Sequence, residues 1–297
     1  MAILVDQNTK VLVQGITGTE GSRATREMLS YSTHVIAGVT PGKAGQNVEG
    51  VPVYETVSEA IAKHPDINAT LVVVPARFAL NAVKEAIGAK IPLINVLTEH
   101  ITTFDSATMY ALAQEVGVRI VGPSSVGIIS PGIAKLGAIG SSTTSKVFSP
   151  GPIGLVSKSG GMTSEIASIL TKNSLGQSSV IGIGGDQIIG TDFKDLLELF
   201  ERDERTKAVV MFGEVGGTYE ELVADFIKSG GFTKPVVAVI AGMFTKYLPE
   251  GVVLGHAGAI VSRGRGGYDS KVVSLDQVGV KIANSIDEIP EILKKLI

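Results

Sequence analysis

The stretch Lys10-Val11-Leu12-Val13-Gln14-Gly15-Ile16-Thr17-Gly18-Thr19-Glu20-Gly21 (10–21) decides how this chain folds. A short, β-branched apolar run ends at Gly15, and residues 22–30 beyond the glycines carry helical spacing. This is the passage from a buried strand into a helix. Glycine at such a passage permits positive φ and lets backbone N–H groups approach a phosphate at the helix start. The spacing is G-x-x-G-x-x-G, not the G-x-G-x-x-G of dinucleotide loops. The position points to an anion without saying which.

The same alternation continues outward. Continuous apolar runs at 34–39, 69–74, 92–97 and 119–122 are separated by helical stretches at 57–63, 78–88 and 105–116. Such runs mark strands covered on both faces, as in a parallel sheet with helices on either side. A Pro/Gly/Ser-rich passage, 123–132 and on to 149–152, reads as a junction. A second alternation follows, with strands at 153–157, 179–183, 207–212 and 235–241 and helices near 162–172, 192–201, 219–228, 269–277 and 287–296. The expected fold class is α/β with two open domains, 1–130 and 131–297.

Composition narrows the chemistry. The 297 residues include no Cys, which excludes a disulfide framework, a thiolate metal site and a cysteine nucleophile. With 26 Lys+Arg against 29 Asp+Glu there is no basic block for a nucleic-acid backbone. The most apolar runs, 71–76 and 236–242, are far shorter than the roughly 20 residues of a spanning helix. The start, MAILVDQNTK, has an acid near its front and no apolar leader core, so a cytoplasmic protein with no membrane partner is expected.

Four stretches carry candidate chemistry. After the first strand come Thr17, Gly18, Thr19 and Glu20. After the second come Val39-Thr40-Pro41-Gly42-Lys43, where a NAD site would place an acid for the ribose. Lys43 suits a further phosphate instead, or is a solvated loop lysine. Gly38–Lys43 is one residue short of a P-loop, and Ala44 has no hydroxyl for Mg²⁺, so any nucleotide site is expected on another chain. Ser157-Lys158-Ser159-Gly160-Gly161-Met162-Thr163 is a second helix start, either an anion cradle or an ordinary cap. Gly213-Glu214-Val215-Gly216-Gly217 puts a carboxylate at a strand end, where it could orient an imidazole; an exposed turn glutamate is the alternative. Of the four histidines, His34 and His64 look structural, and His100 follows a strand end. His256 stands between small residues, Gly255 and Ala257, that leave its ring free and let a phosphoryl group approach. No metal site is expected.

Taken in order, NTKVLVQGITG (8–18), GVTPGK (38–43), GPSSVGIISPG (122–132), GLVSKSG (154–160), GIGGD (182–186), MFGEVGG (211–217) and GHAGAI (255–260) resemble the α subunits of succinyl-CoA synthetases from end to end. The resemblance implies a Rossmann-like coenzyme A-binding domain followed by a flavodoxin-like ligase domain. It implies coenzyme A contacts at Thr17, Gly18, Thr19, Glu20 and Lys43 and at Leu97, Thr98 and Glu99. It further implies that His256 is phosphorylated, that Glu214 is its carboxylate partner, and that Ser159, Gly160, Gly161, Thr163 and Ser164 cradle phosphate and substrate. ATP or GTP with Mg²⁺ would sit on an ATP-grasp β subunit, in an αβ or (αβ)₂ assembly. The reaction implied is NTP + succinate + coenzyme A ⇌ NDP + phosphate + succinyl-CoA through a phosphohistidine and an acyl phosphate. The chain departs from the family pattern at Ser124, Ser125 and Ser164, the last in place of a tyrosine on the substrate side. Two further readings stay open: the same mechanism on another small carboxylic acid, and a non-catalytic coenzyme A sensor.

Overall fold

The computed structural model describes residues 3–247 and 266–297. In the first half the strands are β1 (Lys10–Gln14), β2 (His34–Val39), β3 (Asn47–Val48), β4 (Val51–Tyr54), β5 (Ala69–Val72), β6 (Leu93–Val96) and β7 (Arg119–Val121). They form one sheet in the order β3-β4-β2-β1-β5-β6-β7. Every pairing is parallel except the small β3–β4 pair, which is antiparallel. Helices α1 (Thr19–Ser30), α2 (Val57–Lys63), α3 (Ala76–Gly88) and α4 (Thr103–Val116) connect them. Both faces of β5 and β6 are covered, which is why ATLV and LINV are buried throughout. On α3 the buried positions Ala79, Val83, Ala86 and Ile87 form one stripe of helical period. Thr102 caps α4 by accepting a hydrogen bond from the Asp105 N–H, and Gly117 ends it in the left-handed conformation. The sheet runs outward in opposite directions from β1 and β5, so a switch point lies at their carboxyl ends, where ligand crevices form in open α/β sheets.

The junction expected at 130 falls inside the first of two compact units. The compact units are Leu4–Thr144 with Ile188–Thr191, and Ser145–Gln187 with Asp192–Ile297 and the first few residues of the chain. The Pro/Gly/Ser-rich passage holds a buried antiparallel hairpin, β8 (Gly127–Ser130) and β9 (Ala134–Gly137), rather than a linker. It is tied to the first unit: Thr33 Oγ1 donates to Lys135 O at 2.9 Å, and Ser130 Oγ donates to Val5 O at 2.9 Å. A pattern rich in turn-forming residues gave no periodicity by which to recognise it. The one-turn helix α5 (Thr144–Val147) leads out of this unit.

The second unit holds β10 (Pro150–Ser157), α6 (Gly160–Lys172), β11 (Gln177–Gly182), α7 (Phe193–Arg202), β12 (Ala208–Glu214), α8 (Tyr219–Lys228), β13 (Val236–Ala241), α9 (Tyr268–Asp276), β14 (Lys281–Ile282) and α10 (Ile289–Lys294). Its strands run in the order β14-β13-β12-β10-β11 with parallel pairings. All seven residues of β12 are buried, and α7 packs Phe193, Leu196, Leu197 and Phe200 inward. Among the described residues no helix is long and apolar enough to cross a membrane.

Candidate functional site

In the first unit the glycine loop is built by backbone contact. Gly15 has φ +87°, and a Cβ there would meet Val73 O at 2.2 Å. A Cβ on Gly21 would meet Gly15 O at 2.2 Å, so α1 lies directly on the loop backbone. Gly18 is the N-cap residue of α1 and supplies no side chain to cap it. The first turn thus presents its N–H groups at a positive helix end, with Gly18, Thr19 and Glu20 exposed. Glu20 is paired with Arg23 one turn on.

The loop after β2 is joined to this one. Thr17 Oγ1 lies 3.2 Å from Thr40 Oγ1, and Lys43 N donates to Thr40 O at 3.0 Å. Both carboxylate oxygens of Glu55 accept the Gly42 N–H at 2.9 Å, which holds the turn and leaves Lys43 exposed. After β6, Leu97 N donates to Val72 O at 3.1 Å, and Thr98 Oγ1 donates to Val74 O at 2.8 Å. Glu99 is exposed beside them, with His100 Nε2 3.9 Å from its carboxylate. The candidates Thr17–Glu20, Lys43 and Leu97–Glu99 therefore share one sheet edge, at the carboxyl ends of β1, β2, β5 and β6.

In the second unit, Ser157 ends β10 and Ser159 caps α6. The Ser159 Oγ accepts the Met162 N–H at 3.4 Å, so the simple cap describes its hydroxyl. Thr163 differs from expectation. It is fully buried and its hydroxyl donates to Ser159 O at 2.7 Å, so it stiffens the first turn and does not face an incoming anion. Gly160, Gly161 and Ser164 are at least partly open, and a Cβ on Gly161 would meet nothing within 4 Å. Replacing Ser159 with alanine is expected to cost about 1 kcal/mol, measured as a lower denaturant midpoint at unchanged slope.

Glu214, at the end of β12, is 8% exposed, which sets aside the exposed-turn alternative. Its N–H donates to Glu220 Oε1 at 3.2 Å. His256 lies outside the described residues. The chain just beyond that stretch is anchored beside Glu214: Gly216 N donates to Gly266 O at 2.7 Å. Gly266 N in turn donates to Glu221 Oε1 at 3.0 Å.

Reading the sequence did not find the charges beneath this edge. Lys158 Nζ lies 3.2 Å from Glu220 Oε1, Lys271 Nζ contacts Glu220 Oε2, and Lys271 Nζ lies 3.3 Å from Glu221 Oε2. Lys158 is 5% exposed, and Glu220 and Lys271 are wholly buried. Burial pushes the Glu221 carboxyl up, but the Lys271 ammonium and the hydrogen bonds from Gly266 and Ser270 outweigh it and hold the group below the usual carboxylate range. Acids in a helix's first turn are commonplace, and Lys271 lies 51 residues from Glu220, so no local signal marks the cluster. Among the described residues no cluster of three or more His, Cys, Asp or Glu could hold a metal ion.

Comparison with known proteins fits this division. Residues 6–100 match the family model of a CoA binding domain, and residues 156–280 match that of a CoA-ligase. The chain is 48% identical, over all of its length and all of the relative's, to the Archaeoglobus fulgidus protein named ADP-forming succinate–CoA ligase subunit alpha 2. It is 44% identical to the Aquifex aeolicus ADP-forming succinate–CoA ligase subunit alpha, over the whole chain and 95% of that protein. Among solved structures it is similar to ATP citrate lyase from Methanothrix soehngenii in complex with citrate and coenzyme A, with a TM-score of 0.92 and 27% identity. That match covers 99% of this chain and only half the length of the lyase chain. The end-to-end identity, with each glycine-flanked helix start inside its matching region, places the chain in the family of succinate–CoA ligase α subunits.

Proposed function

We propose that this chain is the α subunit of an ADP-forming succinate–CoA ligase and works with a nucleotide-binding β subunit in the cytoplasm. The observation that carries the reading is full-length identity of 48% to a protein of that name. The two sheet edges described above fit its chemistry.

The first edge fits coenzyme A. An uncapped helix start flanked by Lys43 offers backbone donors and positive charge to the coenzyme's phosphates, and Arg23 pairs with the Glu20 carboxylate in the first turn. Thr17, Gly18, Thr19, Glu20, Lys43, Leu97, Thr98 and Glu99 would hold the coenzyme, which supplies a thiol when bound. In the second half of the chain, His256 accepts the γ-phosphoryl group of ATP on an imidazole nitrogen, releasing ADP. Glu214 fixes the tautomer by accepting the hydrogen of the other nitrogen. The N–H groups of Gly160 and Gly161, at the positive end of α6, stabilise the transferred charge. The P–N bond then breaks as a succinate oxygen takes the phosphoryl group, and thiol attack on the acyl phosphate expels inorganic phosphate. ATP and Mg²⁺ belong on a β subunit of the ATP-grasp type, in an αβ or (αβ)₂ assembly.

The test is to co-express the chain with its β partner and supply γ-labelled ATP and Mg²⁺. The expected result is acid-labile, alkali-stable label on this chain that succinate and coenzyme A together discharge with thioester formation. A wild-type complex that binds coenzyme A and never takes up label would make the chain a sensor. Thioester formed only from a different acid would replace succinate.

A further inference from the structure

Resting on that reading, we infer that Glu220 is a positioning residue for the phosphoryl-transfer edge, acting through its Oε1 atom. One buried carboxylate ties four segments together. Its Oε1 accepts the Glu214 N–H at 3.2 Å and lies 3.2 Å from Lys158 Nζ. Its Oε2 faces Lys271 on α9. Lys271 Nζ also donates to Gly217 O at 3.1 Å, in the turn that follows Glu214.

Lys158 precedes the α6 cap Ser159, and its own N–H donates to Phe212 O on β12 at 3.1 Å. Glu220 therefore holds the residue ahead of one helix start against the backbone of the carboxylate meant to orient the imidazole. The space is reserved for it: a Cβ on Gly213 would stand 2.6 Å from Glu220 Oε1. Two lysines and two glutamates, Lys158, Lys271, Glu220 and Glu221, balance in charge. Replacing one buried partner leaves the other uncompensated, whereas removing both partners together is tolerated far better. The two oxygens of Glu220 have separate duties, and this makes the role testable apart from stability.

The experiment compares two double variants, each co-expressed with the β subunit. Glu220→Gln with Lys271→Met discards the Oε2 pairing but keeps an oxygen where Glu214 N–H and Lys158 need one. Glu220→Met with Lys271→Met discards both. Thermal midpoints establish that each is folded; the readouts are the rate of label uptake from γ-labelled ATP, kcat for thioester formation and KM for coenzyme A. We expect the glutamine double variant within about threefold of wild type. The methionine double variant should be slower in label uptake and kcat by about tenfold or more, with KM for coenzyme A unchanged in both. Equal rates in the two folded variants would overturn the inference, as would a loss expressed in KM for coenzyme A alone. Should one double variant fail to fold, Glu220→Gln alone decides: its amide nitrogen meets the Lys271 ammonium and pulls Oε1 out of place, so an unchanged rate overturns the inference. A wild-type complex that takes up no label refutes the proposed function itself, and the inference with it.

Discussion

Replacing His256 with alanine is expected to abolish the acid-labile label and to lower thioester formation on the order of 10⁴-fold or more, as removal of an enzyme's nucleophile does. A covalent intermediate divides one difficult transfer into two easier ones, and without an imidazole nitrogen there is nothing to carry the phosphoryl group between nucleotide and succinate. Coenzyme A binding should be untouched, because the residues proposed to hold it, Thr17–Glu20, Lys43 and Leu97–Glu99, belong to the other compact unit. Titration of the variant with coenzyme A, alongside autoradiography of the denatured chain, separates the two functions. Label persisting on the alanine variant would place the phosphoryl acceptor at another residue.

Replacing Gly21 with alanine is expected to raise KM for coenzyme A about tenfold or more, equivalent to roughly 1.4 kcal/mol of binding. Helix propensity alone would favour alanine at an interior position by about 1 kcal/mol. Packing decides against it. The new methyl group would stand 2.2 Å from Gly15 O, 2.9 Å from Gly15 C and 3.0 Å from Ile16 Cα, all of them backbone atoms that no rotamer change can move aside. The loop must separate from α1, and the N–H groups at the helix start then lose their fixed relation to the Thr40–Lys43 turn. Overpacking of this kind costs about 1–3 kcal/mol in stability, so the thermal midpoint should fall as well. The rate of label uptake from ATP, which belongs to the second unit, should change little. An alanine variant with wild-type KM would mean that the coenzyme does not use this helix start.

Much of this was legible in the residues. The runs at 34–39, 69–74 and 207–212 mark the parallel strands β2, β5 and β12 because a strand covered on both faces must be apolar on both. The Gly15–Gly21 spacing marked a strand-to-helix turn because few other residues could make one so tight. The hairpin at 127–137 was not legible. Its serine, glycines and proline look the same in a solvated linker as in a buried pair of strands, and the bonds to Val5 and Thr33 show which it is. The first compact unit runs on to Thr144, past the junction expected at 130.

The fold class, the two glycine-flanked helix starts and the residues around them could be read from the residues, because these follow from local periodicity and backbone sterics acting over a few neighbouring positions. Which side chains are exposed at the sheet edges and which serve the frame follows only from how distant parts of the chain pack. Thr163 turned inward to its own helix, Glu214 left the solvent for the end of β12, and Lys158, Glu220, Glu221 and Lys271 met under one sheet edge. Charges far apart in the chain meet only when the fold brings them together, and a buried charge is tolerable only when it finds such a partner.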